Sequence, residues 1–412
     1  MDAAPVAFAL LVVLSATAVA APGSSSSVDA LSTPVQQEAN TTSYLSLGAD
    51  DIRTTRFDVV TLDVGGSLAV DNARLRGQYE ATRLQQAYRA AESSDARRAV
   101  VREAADRIDD RIDALHSRQR EALVAYNSDQ LSARGYLREL AAVNAEAKAL
   151  ETAIARLYSL SRAVGEPVEQ SRIARMKARL LPFDGPVRSA IAAGFTGESS
   201  VRVYIETSSD GVTLTTLSRG EFGTTYVRET YDGGAFAPDD EPRVTFDEAR
   251  EELFGLYPWA IEQGVYNIGL FTNAPYYLDA GVYAFGVNHP QGTDQRFDLV
   301  AYYDNRTGEV FREVQYKDVE RVPTTTVANV SEDGFRVRVR ATHPGGPAQV
   351  TVTNASTGLP RDAVIYVGDQ RVGTVDENGD RWIIAPRGTT TVSATWAGRS
   401  ANVTVDSTTF PA

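Results

Sequence analysis

The chain has 412 residues, a formal net charge of −13 and 43% apolar content, enough for several domains with real cores and too apolar for a disordered polymer. The acidic balance argues against a nucleic-acid partner, whose phosphates would be repelled. The absence of cysteine excludes disulfides, thiolate metal sites, a catalytic thiol and a lipid-modified N-terminal cysteine.

Only three of the 41 basic residues are lysines: Lys148, Lys177 and Lys317. An acidic, lysine-poor surface is expected of a halophile, where dense salt screens neighbouring carboxylates, although GC-rich codon usage also favours arginine. The tract from Ala3 to Ala21 is almost wholly apolar and carries Ala18-Val19-Ala20, a pattern that a signal peptidase reads. Its n-region holds Asp2 and no Lys or Arg, and its length lies at the lower edge of what spans a bilayer. Both readings of residues 1–21, cleaved signal peptide or retained anchor, place the chain outside the cytoplasm. Residues 22–55, beginning Pro22-Gly23-Ser24, read as a linker.

A helical region is expected over residues 56–184. It starts with a short extended segment containing Phe57, Val59 and Val60, followed by a first helix capped by Asp71. From Ser94 to Val164 the apolar spacing alternates between three and four. Val101, Ala105, Ile108, Ile112 and Leu115 form one seam, and Leu140, Val143, Ala147, Leu150, Ile154 and Leu157 form the other. The polar break Asn127-Ser128-Asp129-Gln130 is too short for a crossover, so an antiparallel helical hairpin is predicted. Its first arm would be about 48 Å long at 1.5 Å per residue. A further amphipathic piece, Val168 to Leu181, ends before Pro182 and allows the hairpin to close into a bundle. The charged outer positions, Arg102, Glu103, Asp106 and Arg107 among them, suit a solvated face laced by ion pairs better than a docking surface.

Residues 185–320 alternate as an α+β module. Val201 to Glu206 and Val212 to Leu217 flank Ser208-Ser209-Asp210-Gly211 as a hairpin, and Thr224 to Tyr231 adds a strand. Thr245-Phe246-Asp247-Glu248 is a capping box opening a helix through Leu253. Strands follow at Val282 to Val287, Arg296 to Tyr303 and Glu309 to Tyr316, the last two joined by Asp304-Asn305-Arg306-Thr307-Gly308. The order of strand, Thr-Phe-Asp-Glu-Ala-Arg-Glu-Glu-Leu helix and Asp-x-x-Thr-Gly hairpin, over Thr224 to Val319, resembles a PepSY-type module. That resemblance implies an extracytoplasmic, non-catalytic unit, of a kind proposed to restrain peptidases.

Residues 321–412 carry short alternating runs separated by Gly or Pro turns, the pattern of a β-sandwich. Thr357-Gly358-Leu359-Pro360 and Gly373-Thr374-Val375-Asp376-Glu377-Asn378-Gly379 resemble Ig-like or carboxypeptidase-regulatory-type domains. Trp382 and Trp396 are expected in its core. The whole order resembles uncharacterised secreted or membrane-associated proteins of haloarchaea, a likeness that names no activity.

Chemistry has little local support. His116, His289 and His343 lie far apart, and no phosphate-binding glycine loop or H-E-x-x-H occurs. Asp376, Asn378 and Asp380 offer oxygen ligands to calcium, but Asn378-Gly379 is first of all a turn and falls out of EF-hand register. Asp239-Asp240-Glu241 reads as a solvated loop. Asn40, Asn305, Asn329, Asn354 and Asn402 head glycosylation sequons. The expectation is therefore a multidomain α, α+β and β protein without cofactor. It would act outside the cell by contact with an envelope protein or surface polymer, and would meet membrane only through a retained N-terminal segment. The rivals are a secreted hydrolase whose site is assembled from distant residues and a module that restrains a peptidase.

Overall fold

The computed structural model describes residues 45, 47, 48, 51–165, 168, 170–220, 223–238, 241, 243–258, 261, 266–268, 280–288 and 297–410. The apolar tract 1–21, Asn40, Asp239, Asp240 and His289 lie outside the described residues.

Eight antiparallel strands make the central sheet: β1 (Thr54–Val60), β2 (Val201–Thr207), β3 (Gly211–Gly220), β4 (Gly223–Asp232), β5 (Tyr266–Ile268), β6 (Val282–Asn288), β7 (Phe297–Asp304) and β8 (Glu309–Asp318). Their order is β1-β2-β3-β4-β8-β7-β6-β5. The β2–β3 and β7–β8 hairpins turn where the Gly and Asp signals place them. Gly308 sits at φ +77°, a left-handed conformation that favours glycine, and its N–H donates to the Asp304 carbonyl at 2.9 Å. The pairing of β1 with β2, with Val60 opposite Val201, joins segments about 140 residues apart and has no local signature.

Strand alternation gives the sheet two different faces. Val203, Ile205, Val212, Leu214 and Val227 point to a helical layer formed by α1 (Val64–Ala90), α2 (Ser94–Asn127), α3 (Ala133–Ala163) and α5 (Pro186–Thr196). A second helical core joins α1, α2 and α3 to α4 (Gln170–Leu180) through Leu84, Ile108, Ile112, Leu150, Ile154 and Met176. Ser93 and Ser132 cap α2 and α3, their hydroxyls accepting from the N–H groups of Ala96 and Gly135. Residues 128–132 separate the two helices, and Arg118 pairs with Glu139 while Arg111 pairs with Glu146.

Two sequence expectations need correction here. Asp71 does not cap the first helix. It lies inside α1, paired with Arg74, and the cap is Asp63, whose carboxylate accepts from the Gly66 N–H at 2.6 Å. Gly66 stands in the first helical turn, where a Cβ would come within 2.3 Å of the Phe195 ring, so this glycine allows close packing. Helix α5 is the second difference from the sequence expectation. Pro186 occupies its first turn, where a missing N–H costs nothing, although the Pro182 to Gly185 region reads as a terminator.

Helix α6 (Phe246–Leu256) opens with the expected capping box, Thr245 and Glu248 each accepting from the other's backbone N–H. It packs on β6 and β7 through Ala249, Leu253, Phe285, Leu299 and Tyr303. No helix among the described residues is long and apolar enough to cross a membrane.

The C-terminal region is a β-sandwich of two four-stranded antiparallel sheets. One has the order β14-β11-β10-β9 and the other β13-β12-β15-β16. The strands are β9 (Thr325–Glu332), β10 (Phe335–Ala341), β11 (Pro347–Asn354), β12 (Val364–Val367), β13 (Gln370–Thr374), β14 (Asp380–Ile384), β15 (Thr389–Trp396) and β16 (Arg399–Asp406). Phe335, Val337, Val350, Val352, Ile365, Val392 and Val403 fill it from both sheets. The two tryptophans are not in this core. Trp382 is half-buried and its indole N–H donates to Glu320 at 2.8 Å, while Trp396 is 39% exposed beneath the Arg361 guanidinium, 4.1 Å from the ring centroid. Trp396 is the last residue of β15, and Trp382, in the middle of β14, alternates with the core residue Ile383 and so faces away from the core.

Candidate binding cleft

The sandwich docks on the sheet face opposite α5, and the contact is largely polar. Tyr226 donates to the Gly345 carbonyl at 3.0 Å, the Arg387 N–H donates to Tyr204 at 3.0 Å, and the Arg387 guanidinium meets Glu206 at 3.0 Å. Beside this contact lies a cleft of about 550 Å³. Its walls come from β1, β2 and β3 on one side and from β12, β13 and β14 on the other. Phe57, Val59, Leu217 and Val372 supply apolar surface, and Ser199, Ser200, Thr216 and Ser218 supply hydroxyls.

Three arginines line the cleft: Arg202 on β2, Arg219 at the end of β3 and Arg381 on β14. None of the described lining residues is acidic. Arg202 donates to the side-chain oxygen of Gln370 at 3.4 Å and to the Arg371 carbonyl. Arg381 donates to the carbonyls of Val372 at 3.0 Å and Thr374 at 3.5 Å. Two guanidinium groups from different sheets thus grip the backbone of β13, each held by neutral oxygens. Gly373, at φ +142°, makes this possible, because a Cβ there would lie 2.7 Å from an Arg381 nitrogen. Burial, then the positive charges of Arg219, Arg202 and Arg371, hold the Arg381 guanidinium below its usual value, with Asp376 opposing. Burial and Arg371 lower Arg202 in the same way.

Residues 326–403 match an archaeal fibronectin-III type-like domain. Residues 1–200 match a domain of unknown function (DUF7096), and residues 203–323 match a family of unknown function (DUF7094). Neither a curated protein nor a solved structure matches the chain. The cleft draws on all three matched segments: Phe57 from the first, Arg219 from the second, and Arg381 from the fibronectin-III-like domain.

The sequence-derived candidates lie elsewhere. In the fibronectin-III-like domain the Asp376 carboxylate accepts from the N–H groups of Asn378 at 2.9 Å and Asp380 at 3.0 Å. The loop closes as a turn around Gly379, at φ +77°. Among the described residues no group of three or more His, Asp or Glu side chains is arranged to hold a metal ion. Of the sequon asparagines, Asn329 and Asn402 are exposed on β9 and β16. The Asn354 side-chain oxygen accepts from the N–H groups of Ser356 and Thr357. Asn305, a sequence candidate, is 6% exposed inside the β7–β8 turn, too enclosed to accept a glycan in the folded chain.

His116 and His343 stand in different regions, each tied to a backbone carbonyl, that of Arg179 at 2.9 Å and that of Pro344 at 3.0 Å. Lys148 does approach the Ser189 hydroxyl, at 2.7 Å. That ammonium is half-exposed and paired with Asp184, and Ser189 donates to the Gly185 carbonyl, the arrangement of a surface tie rather than an activated nucleophile.

Sequence reasoning did not find the arginines of the cleft. Positions 202, 219 and 381 share no motif spacing, and in an arginine-rich chain each reads as one more solvated charge. The available signal was Arg381 beside Trp382, a cation next to an aromatic residue between two turns.

Proposed function

We propose that this protein is non-enzymatic, lies outside the cytoplasm and acts by contact, with the arginine-lined cleft as its recognition site. The observation that carries the reading is the composition of the cleft, which offers guanidinium and hydroxyl donors over an apolar floor, the equipment of binding. Position outside the cell is supported by the apolar tract 1–21 in the sequence and by the exposed sequon residues Asn329 and Asn402. The low lysine content supports a halophilic source. The likeness of Thr224 to Val319 to a PepSY-type module supports a regulatory or architectural role in the envelope. The Asp-x-x-Thr-Gly residues serve structure, since Asp304 accepts from the Ala237 N–H and Thr307 donates to the Ala235 carbonyl.

The test is to express the tagged full chain in an archaeal host, fractionate the cells and sequence the mature N-terminus. The expected product sits in the membrane or supernatant fraction, carries glycan at Asn329 or Asn402, and crosslinks to an envelope component from a photoreactive residue at Ser218. A cytoplasmic product still beginning at Met1 overturns the reading.

A further inference from the structure

Like charges gathered at half-buried positions raise the free energy of the empty protein unless something offsets them. Most arginines of the helical region have found carboxylates, for example Arg107 with Glu80, Arg118 with Glu139 and Arg172 with Asp109. In the cleft no ion pair forms among the described residues, although acids outnumber bases in the chain by 54 to 41, and Asp376 acts on Arg381 from outside the lining. Arg202 and Arg381 are bonded to amide and carbonyl oxygens, and Arg219 is exposed at the rim. The two guanidinium groups gripping β13 are also fixed in place, so little ordering would remain for a ligand to impose. Beneath them the floor is apolar and partly aromatic, and a volume near 550 Å³ fits an organic molecule rather than a bare ion.

We infer that the cleft binds an amphipathic organic oxyanion. Its apolar or aromatic body lies on Phe57, Leu217 and Val372, and its head is held by Arg202, Arg219 and Arg381. This inference rests on the cleft being the recognition site and adds the chemistry of what it recognises. A carboxylate, sulfonate or phosphate head meets the same planar donors. The net charge of −13 repels anions at long range, so affinity must come from the local arrangement and cannot be a general electrostatic attraction.

The test is isothermal titration of the purified full chain with 1-naphthoate, naphthalene-1-sulfonate and 1-naphthyl phosphate. Neutral 1-naphthalenemethanol and inorganic sulfate or phosphate serve as partial ligands, and quenching of tryptophan fluorescence is a second readout. At least one aromatic anion should bind saturably at one site per chain, with the neutral alcohol and the bare ions at least tenfold weaker. Which head binds best separates the three possible sources. Arg202→Gln and Arg381→Gln should each weaken binding at least tenfold. Arg219→Gln, at an exposed position without a described internal bond, should weaken it several-fold while leaving the far-UV spectrum unchanged, so the result does not depend on the two half-buried variants folding. Equal binding of the neutral alcohol, unchanged affinity in Arg219→Gln and Arg381→Gln, or no saturable binding by any of the three anions at millimolar concentration overturns the inference. A cytoplasmic location would refute the proposed function without touching this result, and failed binding would leave an envelope location standing.

Discussion

Replacing Arg188 by methionine tests how the helical layer is fastened to the sheet. Helix α5 has glycine at its cap position and no side-chain cap of its own. Its N-terminus is satisfied from strand β4 instead, where Glu229 accepts from the Val187 N–H at 3.0 Å and from the Arg188 guanidinium at 3.0 Å. Arg188 also donates to Gln119 of α2 at 2.6 Å, so one guanidinium joins sheet, α5 and α2. Both charged side chains are almost fully buried, at 2% and 5% exposure. Removing one member of such a pair leaves an uncompensated buried charge, at a cost of about 3–5 kcal/mol. Burial pushes the Glu229 carboxyl above its usual range, and Arg188 is the first of the groups that pull it back. Without Arg188 it rises further. A carboxyl raised in the folded state contributes stability that is present below its unfolded value and lost as pH rises through the folded one. The variant should therefore be hurt less at pH 5 than at pH 8. The assay is urea unfolding followed by far-UV circular dichroism, with Glu229→Gln and the double variant completing a cycle whose coupling should reach about 2–3 kcal/mol. A loss below about 1 kcal/mol for Arg188→Met, or additive single variants, refutes the reasoning.

Two further outcomes follow from the packing. Gly77→Ala should destabilise by about 1–2 kcal/mol although alanine is the better helix former, because its Cβ would lie 2.5 Å from the Ala149 Cβ and 2.9 Å from the Glu146 carbonyl where α1 crosses α3. A raised melting temperature in a thermal scan would show that the crossing can give way. His116 is held at a pKa of about 4, below its ordinary 6.5, first by burial and then by Arg179. A base depressed in this way stabilises the fold above pH 6.5 and loses that contribution as pH falls toward 4, an effect of up to about 3 kcal/mol at 1.36 kcal/mol per pH unit. His116→Phe keeps the ring beside Phe183 and should remove this part of the acid sensitivity. Parallel pH profiles of wild type and variant in urea unfolding would contradict it.

What the sequence determined by itself was local order. Alternation of three and four placed apolar side chains on one face of residues 94–164. Period-two alternation marked β2, β3, β4 and most strands of the sandwich, and Thr245 with Glu248 announced α6. These signals are short-range, since each depends on residues within one turn or one hairpin. The tertiary structure decided what no neighbour in sequence encodes: that Thr54–Val60 pairs with Val201–Thr207, that glycines 65 and 66 begin a helix where Phe195 packs against it, and that Asn305 turns inward. It also decided the cleft. Arg202, Arg219 and Arg381 acquire a common surroundings only when a strand from each β-rich segment is laid beside the other. A charge looks solvated in sequence until the fold determines what stands next to it, and around these three arginines the described cleft lining holds no carboxylate, Asp376 acting on Arg381 from outside it.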